Sequence, residues 1–316
     1  MSKIAFVFPG QGSQKVGMGQ DVAAEYKEAQ AVYTAADAKL GYSITDVIQN
    51  GPMELLTKSE NAQPALVSTS VAILKALETY DIKADFVAGH SLGEYSALVA
   101  GGFLSAEDAI YLVHRRGKLM EAAVPNGQGA MAAILGLDRE TLGAITDSVT
   151  TEGDDVQLAN LNCPGQIVIS GTVAGVEKAG EQAKIAGAKR VLPLAVSGPF
   201  HSKLMVPAAE QFQGELEKIT FQDGTIPVVN NIDAKATTDK NAIPEKLVQQ
   251  IYSPVLWEDI VTNLVAQGVD TFVEIGSGKV LSGLIKKINR DVTILAAGDA
   301  ASVKEVAEQL KEAAKK

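Results

Sequence analysis

A serine stands on a turn in this chain: Gly89-His90-Ser91-Leu92-Gly93 joins the apolar run Phe86-Val87-Ala88 to the helix-like stretch Glu94-Tyr95-Ser96-Ala97-Leu98-Val99-Ala100. A strand that enters a helix through Gly-x-Ser-x-Gly forces the serine backbone into a strained conformation. The flanking glycines let neighbouring chain approach where a Cβ would clash. The hydroxyl is then held at a helix N-terminus, where free main-chain N–H groups and the helix dipole stabilise developing negative charge. In a chain with 29 glycines the pattern alone is a weak signal. The strand-turn-helix setting is what points to a nucleophile.

A serine hydroxyl at neutral pH needs a base within hydrogen-bond reach, and histidine is the usual one. Only three are present, His90, His114 and His201. His90 adjoins Ser91 on the turn, so its side chain should point away from the serine's. His114 belongs to a helix opened by the capping-box pattern of Ser105 and Asp108, and at about 100° per residue it falls on the polar side with Lys118 and Glu121. It reads as a surface histidine. His201, in Ser197-Gly198-Pro199-Phe200-His201-Ser202, sits on a turn just before the next helix and is the remaining candidate for the base.

The same helical wheel places Arg116 in the middle of an apolar arc made by Ala109, Ile110, Leu112, Val113, Leu119 and Met120. A guanidinium there must be paired. One reading is a buried ion pair with an acidic residue; the other is an arginine held open to grip a substrate carboxylate through two parallel hydrogen bonds. The loop Pro9-Gly10-Gln11-Gly12-Ser13-Gln14 resembles a phosphate cradle, but Lys15 stands where a dinucleotide fingerprint needs glycine, and no Gly-Lys-Ser/Thr follows. Gln11 could instead offer its main-chain N–H to the reacting oxygen together with Leu92, completing an oxyanion hole. Gly276-Ser277-Gly278-Lys279 also fails the phosphate-loop spacing and reads as a tight strand-to-helix turn.

Elements must bring these residues together. Short apolar runs bounded by Gly or Pro alternate with amphipathic stretches, which predicts an α/β fold, α/β-hydrolase-like, with a mostly parallel sheet. Its expected strands are 4–8, 86–88, 226–230, 271–275 and 293–296. Between 127 and 197 the rhythm changes to strand 130–135, helix 139–149, strands 156–161 and 167–170, helix 173–186 and strand 190–195. This β-α-β-β-α-β order is ferredoxin-like and predicts a small subdomain, 127–197, inserted into a catalytic domain of 1–126 and 198–316, the two meeting over a cleft. A Lys/Glu-rich helix after Ser302 reads as a solvated surface element.

Composition narrows the classes. The 316 residues are 46% hydrophobic and 21% charged, which describes a folded globular protein with room for a large core. The single cysteine, Cys163, excludes an intrachain disulfide and suits a reducing compartment, so a cytoplasmic setting is expected. The N-terminal apolar run is too short for a signal-peptide core or a membrane span. A net charge of -10 argues against nucleic acid, and no residue spacing suggests a metal site.

Taken together, Pro9-Gly10-Gln11-Gly12-Ser13-Gln14, Gln63-Pro64-Ala65, Gly89-His90-Ser91-Leu92-Gly93-Glu94, Arg116-Gly117, Asn160-Leu161-Asn162, Gly198-Pro199-Phe200-His201-Ser202 and Tyr252-Ser253-Pro254-Val255-Leu256-Trp257 resemble the malonyl-CoA:acyl carrier protein transacylase family of fatty-acid synthesis, in the same order over residues 4–290 and with no departure at these positions. The resemblance implies that malonyl-CoA acylates Ser91, that His201 is the base, that Arg116 binds the malonyl carboxylate and that Gln11 and Leu92 form the oxyanion hole. It also implies that the Gln250 carbonyl orients the histidine, that Gln63, Asn160 and Phe200 line the site, and that Phe200 resembles the malonyl-selecting pattern of related acyltransferases. No bound cofactor is implied: malonyl-CoA is a substrate, and the phosphopantetheine belongs to the acyl carrier protein. A free-standing, monomeric, cytoplasmic enzyme is the expected form.

That chemistry predicts ping-pong kinetics through one serine ester. A serine esterase or thioesterase shares the elbow, but such enzymes place an acid between serine and histidine and the histidine near the C-terminus, and Arg116 would be unexplained. A non-catalytic binding module would have no use for the strain of the elbow. Carrier proteins of this kind are acidic, so Lys189 with Arg190, or Lys286, Lys287 and Arg290, are candidate docking patches.

Overall fold

The first apolar run becomes a central strand because both of its faces are covered. In the computed structural model, which describes residues 2–125 and 127–315, β1 (Lys3–Phe8) turns Phe6 and Phe8 into one core and Ala5 and Val7 into another on the opposite face. Side chains alternate along a strand, and a parallel sheet needs helices on both faces. Met1, Lys316 and Asn126, the last residue before the expected insertion, lie outside the described residues.

Ten strands form two sheets among the described residues. The chain adds β2 (Phe86–Gly89), then β3 (Gly129–Leu135), β4 (Val156–Cys163), β5 (Gln166–Thr172) and β6 (Arg190–Pro193), and later β7 (Val228–Val229), β8 (Ala236–Thr237), β9 (Val269–Ile275) and β10 (Thr293–Ala297). The larger sheet runs β10-β9-β1-β2-β7-β8, parallel except for the β7–β8 edge. The smaller is β4-β5-β3-β6, wholly antiparallel. Its helices Arg139–Thr151 and Val173–Ile185 begin at Asp138 and Thr172, whose side chains accept the N–H of Thr141 and Gly175. They cover Ile134, Ile167 and Ile169 to make a separate core. The ferredoxin-like order expected from the sequence is therefore the order seen.

The differences from expectation have local causes. The strand expected at 226–230 pairs only over Val228–Val229, because Pro227 has no N–H and offers only its carbonyl, to Val87. The strand expected to reach 195 ends at Pro193, beyond which the Leu194 N–H still reaches the Met131 carbonyl at 2.9 Å. The terminal helix, Ala300–Ala313, is not merely a solvated element: Val303, Val306, Ala307 and Leu310 enter the large core while its charged face stays outside. The helix Ser59–Glu78, which the sequence reading lacked, is buried on almost every side. The turn after β9 needs its glycines, with φ of 142° at Gly276 and 86° at Gly278. The helix that follows, Val280–Ile288, is capped by the Glu274 carboxylate, which accepts the N–H of Leu281 and Ser282 at 3.0 and 2.7 Å. That carboxylate fills the position a phosphate would need.

Candidate active site

Steric necessity fixes the elbow. A Cβ on Gly89 would lie 1.9 Å from the carbonyl carbon of Gly93, and one on Gly93 would lie 2.0 Å from the Phe8 carbonyl oxygen. Both positions exclude every other residue. Between them Ser91 is held at φ 50°, a left-handed conformation that a non-glycine residue adopts only when its surroundings enforce it. The enforcing contact is Asn231, whose side-chain oxygen accepts the Ser91 N–H at 2.7 Å while its amide donates to the Gly89 carbonyl at 2.7 Å.

His201 is also left-handed, at φ 58°. Its N–H reaches the Ile251 carbonyl, and its own carbonyl accepts from the Gln157 side chain. The ring is buried. Nδ1 lies 2.8 Å from the Gln250 main-chain carbonyl, which can only accept, so Nδ1 carries the proton and Nε2 presents a lone pair. The Ser91 Oγ lies 2.7 Å from that lone pair and donates to it. Burial, and then the nearby Arg116 charge, push the imidazole down from 6.5 to about 3. It therefore stands neutral and able to take a proton.

Arg116 is held by neutral partners, and the buried ion pair that its place on the apolar arc allowed is not formed among the described residues. It is 1% exposed, and no ion pair among the described residues includes it. Nη1 donates to Gln63 Oε1 at 2.9 Å, and Nη2 donates to Gln250 Oε1 at 3.0 Å and to Ser91 Oγ at 3.1 Å. Neutral oxygens thus hold the fork, and the guanidinium face lies 5.7 Å from the Tyr95 ring centre. Burial lowers its pKa, yet arginine keeps its proton in proteins. A full positive charge therefore sits beside the serine with no carboxylate in contact with it among the described residues.

Ser91, Leu92, Gln11, Gln63, Arg116, Asn160, Phe200 and His201 all line one cleft of about 230 Å³. Gln250 stands behind it, completely buried. Met131 and Leu194 to Ser197 bring the smaller sheet and its exit segment to the same cleft. The N–H groups of Gln11 and Leu92 have no hydrogen-bond partner among the described residues. His90 points away from Ser91 as its place on the turn requires, with Nε2 at 2.7 Å from Asn162 Oδ1. His114 is not the surface histidine expected: it is half-buried, with Nδ1 donating to the Glu60 carbonyl at 2.8 Å.

Two residues of this network were missed by sequence reasoning, Asn231 and Glu94. Glu94 is 1% exposed and accepts from Asn230 Nδ2 at 2.8 Å, from the Asn231 N–H at 3.3 Å and from Gln250 Nε2 at 2.7 Å. The available signals were an acidic residue in an otherwise apolar helix stretch after the elbow, and two adjacent asparagines at the end of an expected strand.

Comparison with known proteins agrees with this geometry. The family described as acyl transferase domain matches residues 5–314. The malonyl CoA-acyl carrier protein transacylase of Bacillus subtilis (strain 168) is 54% identical over 312 residues, 99% of this chain and 98% of its own length. That of Staphylococcus aureus (strain MRSA252) is 48% identical over 294 residues, 93% and 95% of the two chains. Among solved structures, a malonyl-transacylase in complex with a type II PKS acyl-carrier protein superposes with a TM-score of 0.94 at 46% identity, over 98% of this chain and 100% of that one. An acyl carrier protein S-malonyltransferase from Vibrio cholerae gives a TM-score of 0.94 at 45% identity, over 96% and 100%. The elbow, the fork and the match along the whole chain lead to one statement: this chain belongs to the acyl transferase domain family, among the malonyl CoA-acyl carrier protein transacylases.

Proposed function

We propose that Ser91 carries a malonyl group between two thiols, with His201 as its base, Arg116 as the carboxylate clamp and the N–H groups of Leu92 and Gln11 as the oxyanion hole. The reaction follows from the family: an acyltransferase that moves malonyl from malonyl-CoA to acyl carrier protein for fatty-acid synthesis. His201 Nε2 takes the Ser91 proton as Oγ attacks the thioester carbonyl. The oxyanion lies between the two N–H groups, the C–S bond breaks, and the proton passes from His201 to the departing coenzyme A sulfur. The phosphopantetheine thiol of the carrier protein then gives its proton to His201 and attacks the ester carbonyl; the bond to Ser91 Oγ breaks, His201 returns the proton to Oγ, and the malonyl group leaves as the carrier-protein thioester. Both halves share one intermediate, so the kinetics are ping-pong.

The observation that carries this reading is the fork of Arg116 bonded to Ser91 Oγ itself, at 3.1 Å. An acyl group esterified there reaches the guanidinium only with a carboxylate on a short spacer, as malonyl has, and that carboxylate can replace the neutral oxygens through two charge-assisted bonds. Its arrival also neutralises one cause of the depressed His201 pKa, which makes the imidazole a stronger base when the correct substrate is bound. Gln63 supports the fork, while Asn160 and Phe200 shape the wall opposite.

Residues 127–197 act in this reading as an inserted subdomain that closes the cleft over a catalytic domain of 1–126 and 198–316. The lone cysteine supports work in a reducing cytoplasm, and no helix among the described residues is long and apolar enough to cross a membrane. Intact-mass measurement after mixing with malonyl-CoA tests the proposal. A malonyl adduct is expected on the wild type and not on Ser91→Ala, and its absence from the wild type overturns the reading.

A further inference from the structure

We propose that Glu94 is a positioning residue for carboxylate selection: by fixing which way the Gln250 side-chain amide points, it holds Arg116 in the attitude that grips the acyl group's distal carboxylate. This rests on the reading of Arg116 given above. Gln250 is the hinge of the site. Its main-chain carbonyl orients His201, its Oε1 accepts from Arg116 at 3.0 Å, and its Nε2 donates to Glu94 Oε2 at 2.7 Å. An amide turned the other way would set its NH₂ against the N–H groups of Arg116 and its oxygen against a carboxylate, two mismatches at once.

Two neutral acceptors also face Nε2, the Ser91 carbonyl at 3.0 Å and Asn231 Oδ1 at 3.3 Å. Both are already engaged, by the Glu94 N–H and the Ser91 N–H respectively. Glu94 offers the shortest of the three contacts and the charged one, and charge-assisted bonds are about twice as strong as neutral ones. Its remaining contacts, to Asn230 Nδ2 and the Asn231 N–H, are all from donors. Lys246 reaches it indirectly, with Nζ at 3.1 Å from Asn230 Oδ1. No ion pair among the described residues includes this carboxyl; burial raises its pKa against the pull of its three donors and of the Lys246 charge, and it faces Arg116 across one amide. A merely structural glutamate at this depth would be better replaced by an apolar residue.

Glu94→Gln tests the inference, because it keeps the shape but lets residue 94 present an NH₂ to a turned Gln250. Ser91 acylation is measured by rapid quench and intact mass with malonyl-CoA and with acetyl-CoA. The malonyl-to-acetyl ratio of kcat/KM is expected to fall by about 10- to 100-fold, the scale of a misplacement near 1 Å in a site. Glu94→Asp, which keeps the charge on a shorter arm, is expected to retain part of the ratio. In an Arg116→Ala background Glu94→Gln is expected to leave the ratio unchanged. Equal loss on both substrates, or an unchanged ratio in folded Glu94→Gln, overturns the proposal. If Glu94→Gln does not fold, an unchanged ratio in Glu94→Asp overturns it. A wild type without a malonyl adduct on Ser91 would instead remove the function proposed above.

Discussion

Around Ser91 the two nearest ionisable side chains differ in charge state. The imidazole of His201 is neutral because it is buried and lies near a cation, and the guanidinium of Arg116 is charged because arginine does not release its proton. Removing the fork should therefore separate recognition from reaction. Arg116→Ala is expected to keep the fold, to lower malonyl transfer and to admit neutral acyl-CoA. Two charge-assisted bonds at about 1.5–3 kcal/mol each correspond to a loss of about 10²- to 10⁴-fold in kcat/KM for malonyl-CoA. An unchanged preference for malonyl over acetyl would contradict the role. The depressed His201 pKa also has a consequence for stability. As pH falls, the unfolded chain takes a proton near 6.5 while the folded ring resists it to about 3. Stability that is full above pH 6.5 is then lost as pH falls through that window, by up to about 1.4 kcal/mol per pH unit from this group. Urea unfolding at pH 7, 6 and 5 should show a shallower decline for His201→Gln, and parallel curves would refute the assignment.

At the scale of elements, one irregularity places the arginine. The helix Ser59–Glu78 contains Pro64, which has no N–H to donate and so frees the carbonyl of Glu60, four residues back. His114, on the helix Ala106–Ala122 that bears Arg116, donates to that carbonyl at 2.8 Å. A turn further on, Gly117 lets the two helices touch: a Cβ there would lie 2.4 Å from the Ser59 carbonyl. Close packing of these helices brings Arg116 down to Gln63. His114→Ala is expected to destabilise the protein by about 1 kcal/mol, the cost of leaving a half-buried carbonyl unpaired, with Ser91 acylation nearly unchanged. An equal stability to wild type in urea would show that water satisfies Glu60 instead.

On the whole-molecule scale, two sheets of different type meet at one cleft, so Ser91 comes from the mostly parallel sheet while part of the wall comes from the antiparallel one. The net charge of -10 gives no general attraction for an acidic carrier protein. Two basic groups are candidates to supply it locally: Lys286, Lys287 and Arg290 are exposed together at the end of the helix Val280–Ile288, as are Lys189 and Arg190 at the start of β6. Replacing Lys286 and Lys287 by Glu is expected to lower kcat/KM for the carrier protein about tenfold at low ionic strength. The difference should shrink as salt is added, because steering between exposed charges is screened. Carrier-protein kinetics that do not change would exclude this patch.

The sequence by itself determined the elements whose cause is local. A turn with two obligatory glycines and short apolar runs alternating with amphipathic stretches act within a few residues, so the elbow, most of the strands and the inserted β-α-β-β-α-β unit were legible. Elimination among three histidines left His201 because so few competed. The helix Ser59–Glu78 was hidden for the opposite reason: buried all round, it has no polar face and hence no helical period to read. The oxygens that hold Arg116 were hidden too, since Gln63 and Gln250 lie 53 and 134 positions from it. So was the contact between Gln250 and the Ser91 carbonyl, 159 positions apart. Only the tertiary structure could decide that amides rather than a carboxylate surround the guanidinium, and that a glutamate beside the elbow faces it from behind. Hydrogen-bond partners of buried charges are chosen by which elements pack together, and periodicity along the chain carries no information about that choice.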